Sequence, residues 1–208
     1  MKAIPTLPPE KMKELKEQFD ELLRSTKREG IEELILWLEN ETDFYTAPAS
    51  ASNHGAFEGG LLMHSVAVYK YLQNFIKPVK DSVASESIII SALLHDICKV
   101  NFYAKRIRNV KKPGEKKWEE EESFIIDDQF PLGHGEKSMF LANKFIKLTD
   151  DEALAIRWHM GGFDDAARQY AGGRTLSNAF DKSKLTVALA VADMYVAQII
   201  ESQIINLE

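Results

Sequence analysis

A single cysteine, Cys98, stands in 208 residues, so no internal disulfide can form. This fits a reducing compartment and excludes a disulfide-stapled scaffold. Positive charge is also in short supply: 26 Lys and Arg face 32 Asp and Glu, for a formal net charge of −6. A chain with that balance does not coat itself on nucleic acid or an anionic membrane by charge alone. Long apolar runs are lacking too. The longest, LTVALAVADMYVAQII over 185–200, is short for a membrane span and carries Asp193 near its middle. It reads as a buried helix of a cytoplasmic protein with no membrane contact. The opening stretch, MKAIPTLPPEKMKELKEQ, is charged early and has no apolar core of a signal peptide. No internal repeat or low-complexity segment is visible.

What the chain does have is apolar content, 45% of residues, enough for one globular domain with a sizeable core. Its periodicity is mainly helical. A charged amphipathic helix is predicted over 9–28, opened by prolines, and a second over 31–41, with Ile31, Leu34, Ile35 and Leu38 on one face. Residues 44–60 are rich in Pro, Ser and Gly and read as a loop. Helices follow over 60–77 and 86–98, the latter apolar nearly all round and so expected at the centre. Two strand-like runs around a Pro113-Gly114 turn signal predict a hairpin within 102–128. Helices return over 134–147, over 150–160 with Thr149 and Glu152 in capping-box spacing, and over 183–204. The fold class expected is mainly α, with residues 1–50 as a helical extension packed on a domain of 51–208.

The stretch SALLHDICKV at 91–100 sets His95, Asp96 and Lys99 at the end of an almost wholly apolar run. Asp193 sits in a comparable setting. A buried carboxylate without a partner costs several kcal/mol or takes up a proton. Four of the five histidines, His64, His95, His134 and His159, sit on or at the ends of apolar helical stripes. Buried imidazoles and carboxylates solve one another's problem around a divalent metal, since these are the ligands that first-row metals take. Adjacent residues such as His95 and Asp96 reach one ion only from a helix end or at neighbouring angles. The other ligands must come from separate helices, as in metal sites inside bundles. Each member also has a plainer reading. His64 alone is more often a hydrogen-bonded core histidine, Asp193 alone could pair with a lysine, Cys98 is a small buried hydrophobe, and His54 in the loop reads as a surface or pocket-rim residue rather than a ligand.

The ordered set His64, His95-Asp96 and Asp193, each in its own helix, resembles the HD-domain superfamily of metal-dependent phosphohydrolases. The local contexts GGLLMHS, LLHDICK and LAVADMY agree with it. The order is similar to that in the HD domain of bacterial 3′→5′ exoribonucleases and in HD-GYP phosphodiesterases, although the GYP motif is absent and no room remains for a nucleic-acid-binding barrel. The resemblance covers about 53–200. It implies an HD-type helical bundle and first ligands His64, His95, Asp96 and Asp193. His134 in PLGHGEKS and His159 in AIRWHMGG look like the additional histidines of two-metal members. It further implies one or two divalent ions, Mn, Fe, Co, Ni or Zn with Mg as a further candidate, and a metal-activated water. Asp96 would bridge two ions. Lys99 is a candidate for a substrate phosphate, with a helix-end lysine as the alternative; Arg157, Arg174 and His54 are further candidates for substrate contact.

Three functions remain open at this stage. The first is a phosphohydrolase of a nucleotide or another small phosphate ester. The second is a nuclease or cyclic-nucleotide phosphodiesterase with the same metal centre. The third is a non-catalytic metal- or nucleotide-binding module. Lys105, Arg106, Arg108, Lys111 and Lys112 could guide a polynucleotide, but the EEEE at 119–122 lies nearby and a charged, solvated hairpin is the favoured reading.

Overall fold

The computed structural model describes residues 2–111, 114 and 117–201. Among these are eight α-helices, seven of them arranged around a central one, and a single hairpin flanks them. Helix α1 (Pro9–Ser25) starts where Pro8 holds extended backbone and Pro9 takes the first helical position, which has no need of an N–H donor. It buries Leu15, Phe19 and Leu23. Helix α2 (Ile31–Asn40) buries the predicted stripe of Ile31, Leu34, Ile35 and Leu38. Both helices enter the same core as α3 (Gly60–Phe75) and α4 (Ser85–Leu94).

Helix α4 is the centre. Every residue from Ser87 to Leu94 is buried, because one side meets the core built with α1, α2 and α3 while Ile88 and Ala92 join a second core. That second core draws Val68 and Leu72 from α3, Ala155 from α6 (Asp150–Trp158), and Leu185, Leu189 and Ala192 from α8 (Lys184–Tyr195). A helix apolar all round is stable only in such a position, and each fully buried aliphatic side chain contributes about 1.5–3 kcal/mol. The capping box on α6 forms as its spacing predicts: Glu152 N–H donates to Thr149 Oγ1 at 3.3 Å and Thr149 N–H to Glu152 Oε2 at 2.8 Å.

Strands β1 (Tyr103–Val110) and β2 (Glu119–Ile126) pair antiparallel, with Tyr103 opposite Ile126 and Val110 opposite Glu119. This is the predicted hairpin. Gly114 in its turn has φ of +87°, while Pro113 and Lys112 lie outside the described residues. The N-terminal segment ties two parts together. Lys2 exchanges backbone hydrogen bonds with Glu120 and Glu122 of β2, and Pro5 and Leu7 do so with Glu58 of the 44–59 loop.

Several boundaries differ from expectation. Helix α1 ends at Ser25 and α5 (His134–Asn143) ends four residues early. The helix expected over 86–98 stops at Leu94; Ile97–Lys99 form a 3₁₀ turn instead. The helix expected over 183–204 runs regularly only to Tyr195 and continues as a π turn, Val196–Ile200, with 202–204 outside the described residues. A helix not predicted at all, α7 (Gly172–Lys182), precedes it; only Ala179 of this helix is buried, so its core-facing signal is too thin to read. Among the described residues, no single helix is long and apolar enough to cross a membrane.

Candidate metal centre

The end of α4 is where the site begins. His95 is the last residue in helical conformation, and Asp96 turns out at φ −107° and ψ 15° into the 3₁₀ turn. The break is what lets two adjacent side chains reach one place. His95 Nε2 and Asp96 Oδ2 lie 3.4 Å apart, and both approach His64 Nε2 on α3, at 3.2 and 3.5 Å. Asp193 on α8 adds Oδ1 at 3.1 Å from His64 Nε2 and 3.8 Å from His95 Nε2.

The other oxygen of Asp96 faces a second group. His134 Nε2, at the start of α5, lies 2.8 Å from Asp96 Oδ1, and His159 Nε2, just past α6, lies 3.5 Å from it. These two histidines meet because α5 and α6 pack backbone to backbone at Gly135. A Cβ there would fall 2.1 Å from the carbonyl oxygen of Arg157, so only glycine permits the approach. The imidazole centroids of His134 and His159 are 5.0 Å apart. His64, His95, Asp96 and His159 are all buried.

Hydrogen bonds on the far side of each ring decide which nitrogen carries the proton. A backbone carbonyl can only accept. His95 Nδ1 therefore donates to Ala92 O at 2.8 Å, and His159 Nδ1 to Ile156 O at 2.7 Å. In the neutral form of either ring, this leaves an Nε2 lone pair turned inward. His159 Nε2 is buried with no hydrogen-bond partner among the described residues. His64 Nδ1 faces Glu201 Oε1 at 3.1 Å. Lone pairs and carboxylate oxygens that converge in this way repel one another unless a cation lies among them. Bonds of about 2.1 Å to one ion place neighbouring donors about 3.0–3.4 Å apart, close to the spacing found here. The donor set thus fits a divalent metal, and the outward Nδ1 partners are those that orient metal-binding histidines.

Without metal, protons take the cation's place. Burial alone would lower the His64 pKa, but the Glu201 charge and the hydrogen bonds to Asp193 and Glu201 raise it to about 10. His134 likewise rises to about 10 against its burial, through Cys98, whose Sγ is 3.3 Å from Nδ1, and through Asp96. Burial would raise the carboxyls; Lys99 and His95 instead hold Asp96 well below its ordinary range, and His64 and His95 do the same for Asp193.

Lys99 lies nearer to this chemistry than a continuous helix would bring it. The 3₁₀ turn eclipses residues three apart, and Lys99 Nζ donates to Asp96 Oδ2 at 2.6 Å. The ammonium is buried and also lines a cavity of about 500 Å³. Asp96, His134, His159 and Asp193 open onto the same cavity, as does His54 from the loop, its ring 5.4 Å from that of His64.

Two of the proposed substrate residues do not reach this cavity. Arg157 is held by Glu136 and, at 2.8 Å, by Asp164, and it stacks on Trp158; Arg174 is exposed on α7. Neither lines the cavity. Sequence reasoning also missed two residues. Tyr103 lines the cavity from β1, its phenol pushed up to about 12 by burial. Glu201 is buried against His64, eight residues after Asp193. In a regular helix that spacing leaves two side chains about 80° apart. The π turn at Val196–Ile200 absorbs one residue and brings both carboxylates to the same ring.

No curated protein and no solved structure matches the chain. The sequence pattern of the HD domain does, over residues 61–198, a span that takes in His64, His95, Asp96, His134, His159 and Asp193. That family consists generally of metal-dependent phosphohydrolases, and the histidine and aspartate cluster found here is one that could hold a metal. With the match covering well over half its length, the chain belongs to the HD domain family.

Proposed function

We propose that this protein is a metal-dependent phosphohydrolase that cleaves a phosphate ester of a nucleotide or a related small molecule. The observation that carries the reading is the division of Asp96: one oxygen faces His64 and His95, the other faces His134 and His159, at the floor of a cavity. His64, His95, Asp96 and Asp193 would hold one ion, and Asp96, His134 and His159 a second. Bound ions of this kind supply Lewis acidity and water activation near neutral pH. Nitrogen-rich donors favour Mn, Fe, Co, Ni or Zn over Mg.

The chain's own groups supply the remainder. Lys99 sets a fixed positive charge on the cavity wall, where it can hold a phosphate oxygen as negative charge grows on it. Tyr103 keeps its proton at neutral pH and can donate to the same group. His54 stands at the rim, its pKa lowered by burial and by His64, so it is neutral near pH 7 and can share hydrogen bonds with an ester. Glu201 fixes the His64 ring from behind.

A polynucleotide substrate draws no support from the hairpin. Arg108 stands opposite Glu121, Ile107 opposite Glu122, and Lys105 is paired with Glu58. Two of the strand's three basic residues, Lys105 and Arg108, are thus met by acids. A thiol as the sole cysteine fits a cytoplasmic setting. The deciding experiment incubates metal-stripped protein with Mn²⁺, Co²⁺ or Mg²⁺ and a panel of nucleoside mono- and triphosphates, cyclic dinucleotides and short RNA and DNA. Metal-dependent release of phosphate from a small ester supports the reading. Hydrolysis of only the cyclic or polymeric substrates replaces it with a phosphodiesterase, and no hydrolysis with any metal leaves a binding module.

A further inference from the structure

The cavity above the metal centre has two unlike walls. Its floor carries the charged and ligating groups already described. The wall beyond is built from Met160, Phe163, Phe180, Val187, Val191 and Met194. These come from the turn after α6, from α7, and from one stripe of α8 spaced four and three residues apart. None of the six side chains has an N–H or O–H group. Three of them are open to solvent although apolar: Phe163 is 64% exposed, Met194 47% and Val191 37%. Gathered around one cavity, such side chains form a surface that gains stability only when something apolar covers it.

The volume points the same way. A phosphate group at the metal centre fills a small part of about 500 Å³. Cavities in the range of about 300–1,000 Å³ take whole organic ligands, and their apolar walls hold the ligand's carbon skeleton. Helix α7 fits this role. It buries only Ala179 in the protein, and its Phe180 goes to the cavity wall. Gly161 lies against that wall, where an added Cβ would touch Phe180 and Ala190, and a Cβ at Gly162 would meet nothing within 4 Å. The backbone is bare there, leaving room for a flat group.

Resting on the phosphohydrolase reading, we infer that the organic part of the substrate is an aromatic group, gripped on its faces by Phe163, Phe180, Met160 and Met194 and not read through hydrogen bonds at its edge. Aromatic faces and thioethers attract a ring by dispersion and offset stacking. A sugar placed against these six side chains would find no hydrogen-bond partner among them, although Ser50 and Gln198 also line the cavity. A nucleobase meets the description through its faces alone.

Phosphonates test this without turnover, because their carbon–phosphorus bond replaces the ester. The Mn²⁺-loaded protein is titrated calorimetrically with methylphosphonate, benzylphosphonate and ribose 5-phosphate. Burial of one phenyl ring predicts that benzylphosphonate binds about tenfold or more tighter than methylphosphonate. Ribose 5-phosphate should bind no tighter than methylphosphonate. In Phe163→Ala, an exposed position whose change leaves the core intact, most of the benzyl advantage should vanish while methylphosphonate affinity stays the same; Met194→Ala should act in the same direction. Equal affinity for the benzyl and methyl compounds, or tighter binding of the sugar phosphate, overturns the aromatic subsite and leaves the phosphohydrolase reading standing. Failure of all three to bind the metal-loaded protein overturns the phosphohydrolase reading, and the inference with it.

Discussion

Glu201→Gln tests the claim that the far side of the His64 ring governs metal binding. Glu201 Oε1 faces His64 Nδ1 at 3.1 Å, and both side chains are buried. Glutamine keeps the shape and an accepting oxygen but removes the charge that makes Nε2 a stronger donor. Loss of a partner that orients a metal-bound histidine typically weakens binding by about 10- to 100-fold, or about 1.4–2.7 kcal/mol. A second effect opposes this one. Glu201 helps raise the His64 pKa to about 10, so in the parent protein a proton occupies the site below that pH and competes with metal. The variant holds that proton less tightly. Below both pKa values the weaker proton competition offsets part of the lost affinity. As pH rises the proton leaves in both proteins and the full loss emerges. The deficit in affinity should therefore be constant below the variant's lower pKa, grow as pH rises from there toward about 10, and be complete above it, as measured by competition with a fluorescent chelator. Stability moves separately. Glu201 Oε2 has no hydrogen-bond partner among the described residues, so the new amide N–H groups would be buried there unpaired, at a cost of about 1–3 kcal/mol. For a chain of this size that lowers the metal-free melting temperature by about 2–12 °C. Metal affinity within twofold of the parent at every pH would refute the reasoning, whatever the melting temperature.

Three further variants probe the centre. Asp96→Asn removes the carboxylate shared by both positions and leaves Lys99 and His134 without their anion. Metal content by elemental analysis should fall to near zero, and the metal-free protein should lose about 3–5 kcal/mol of stability in urea; retention of even one equivalent would place the first ion elsewhere. Lys99→Met should keep its metal and lower the rate of hydrolysis by about 10²-fold or more, as loss of a preorganised donor does; an unchanged rate reduces Lys99 to a counter-charge for Asp96. Gly135→Ala drives a Cβ against the Arg157 carbonyl and must push α5 from α6. It should lower metal content by about one equivalent, because His134 and His159 move apart, and two equivalents in the folded variant would show that the second position tolerates the shift.

Much of the centre was legible because buried charge in an apolar run is conspicuous. His95-Asp96 and Asp193 stand in such runs; His95 and Asp96 are buried as the pattern implies, while Asp193 is partly buried and opens onto the cavity. His134 and His159 stood out on apolar stripes, but their place at a second metal was readable only from the resemblance. What joins them is Gly135, whose role is a close approach between two helices and leaves no periodic trace. Glu201 was illegible for a stricter reason. The 3.6-residue period places it on a different face from Asp193, and only the π turn corrects the register. Arginines 157 and 174 were drawn in by their charge, which the sequence displays without showing the acids that hold Arg157 or the distance of Arg174 from the cavity.

The break after Leu94 links the fold to the chemistry. Had α4 continued through 98 as its apolar pattern suggests, His95 and Asp96 would point about 100° apart, and one ion could not take both from a single helix face. The chain stops the helix at the first of them. His95 stays in helical conformation, so its Nδ1 can donate back to Ala92 O and its Nε2 faces inward. Asp96 leaves it, so its two oxygens can serve opposite sides. The 3₁₀ turn that follows returns Lys99 onto the same carboxylate. A buried, apolar α4 anchors this turn from one end, and contact of Cys98 N–H with Ser138 Oγ of α5 holds it from the other. Sites built at the end of a rigid, fully buried helix keep their geometry better than sites on free loops. That explains why a run as hydrophobic as SALL is followed at once by residues that are charged or can become so.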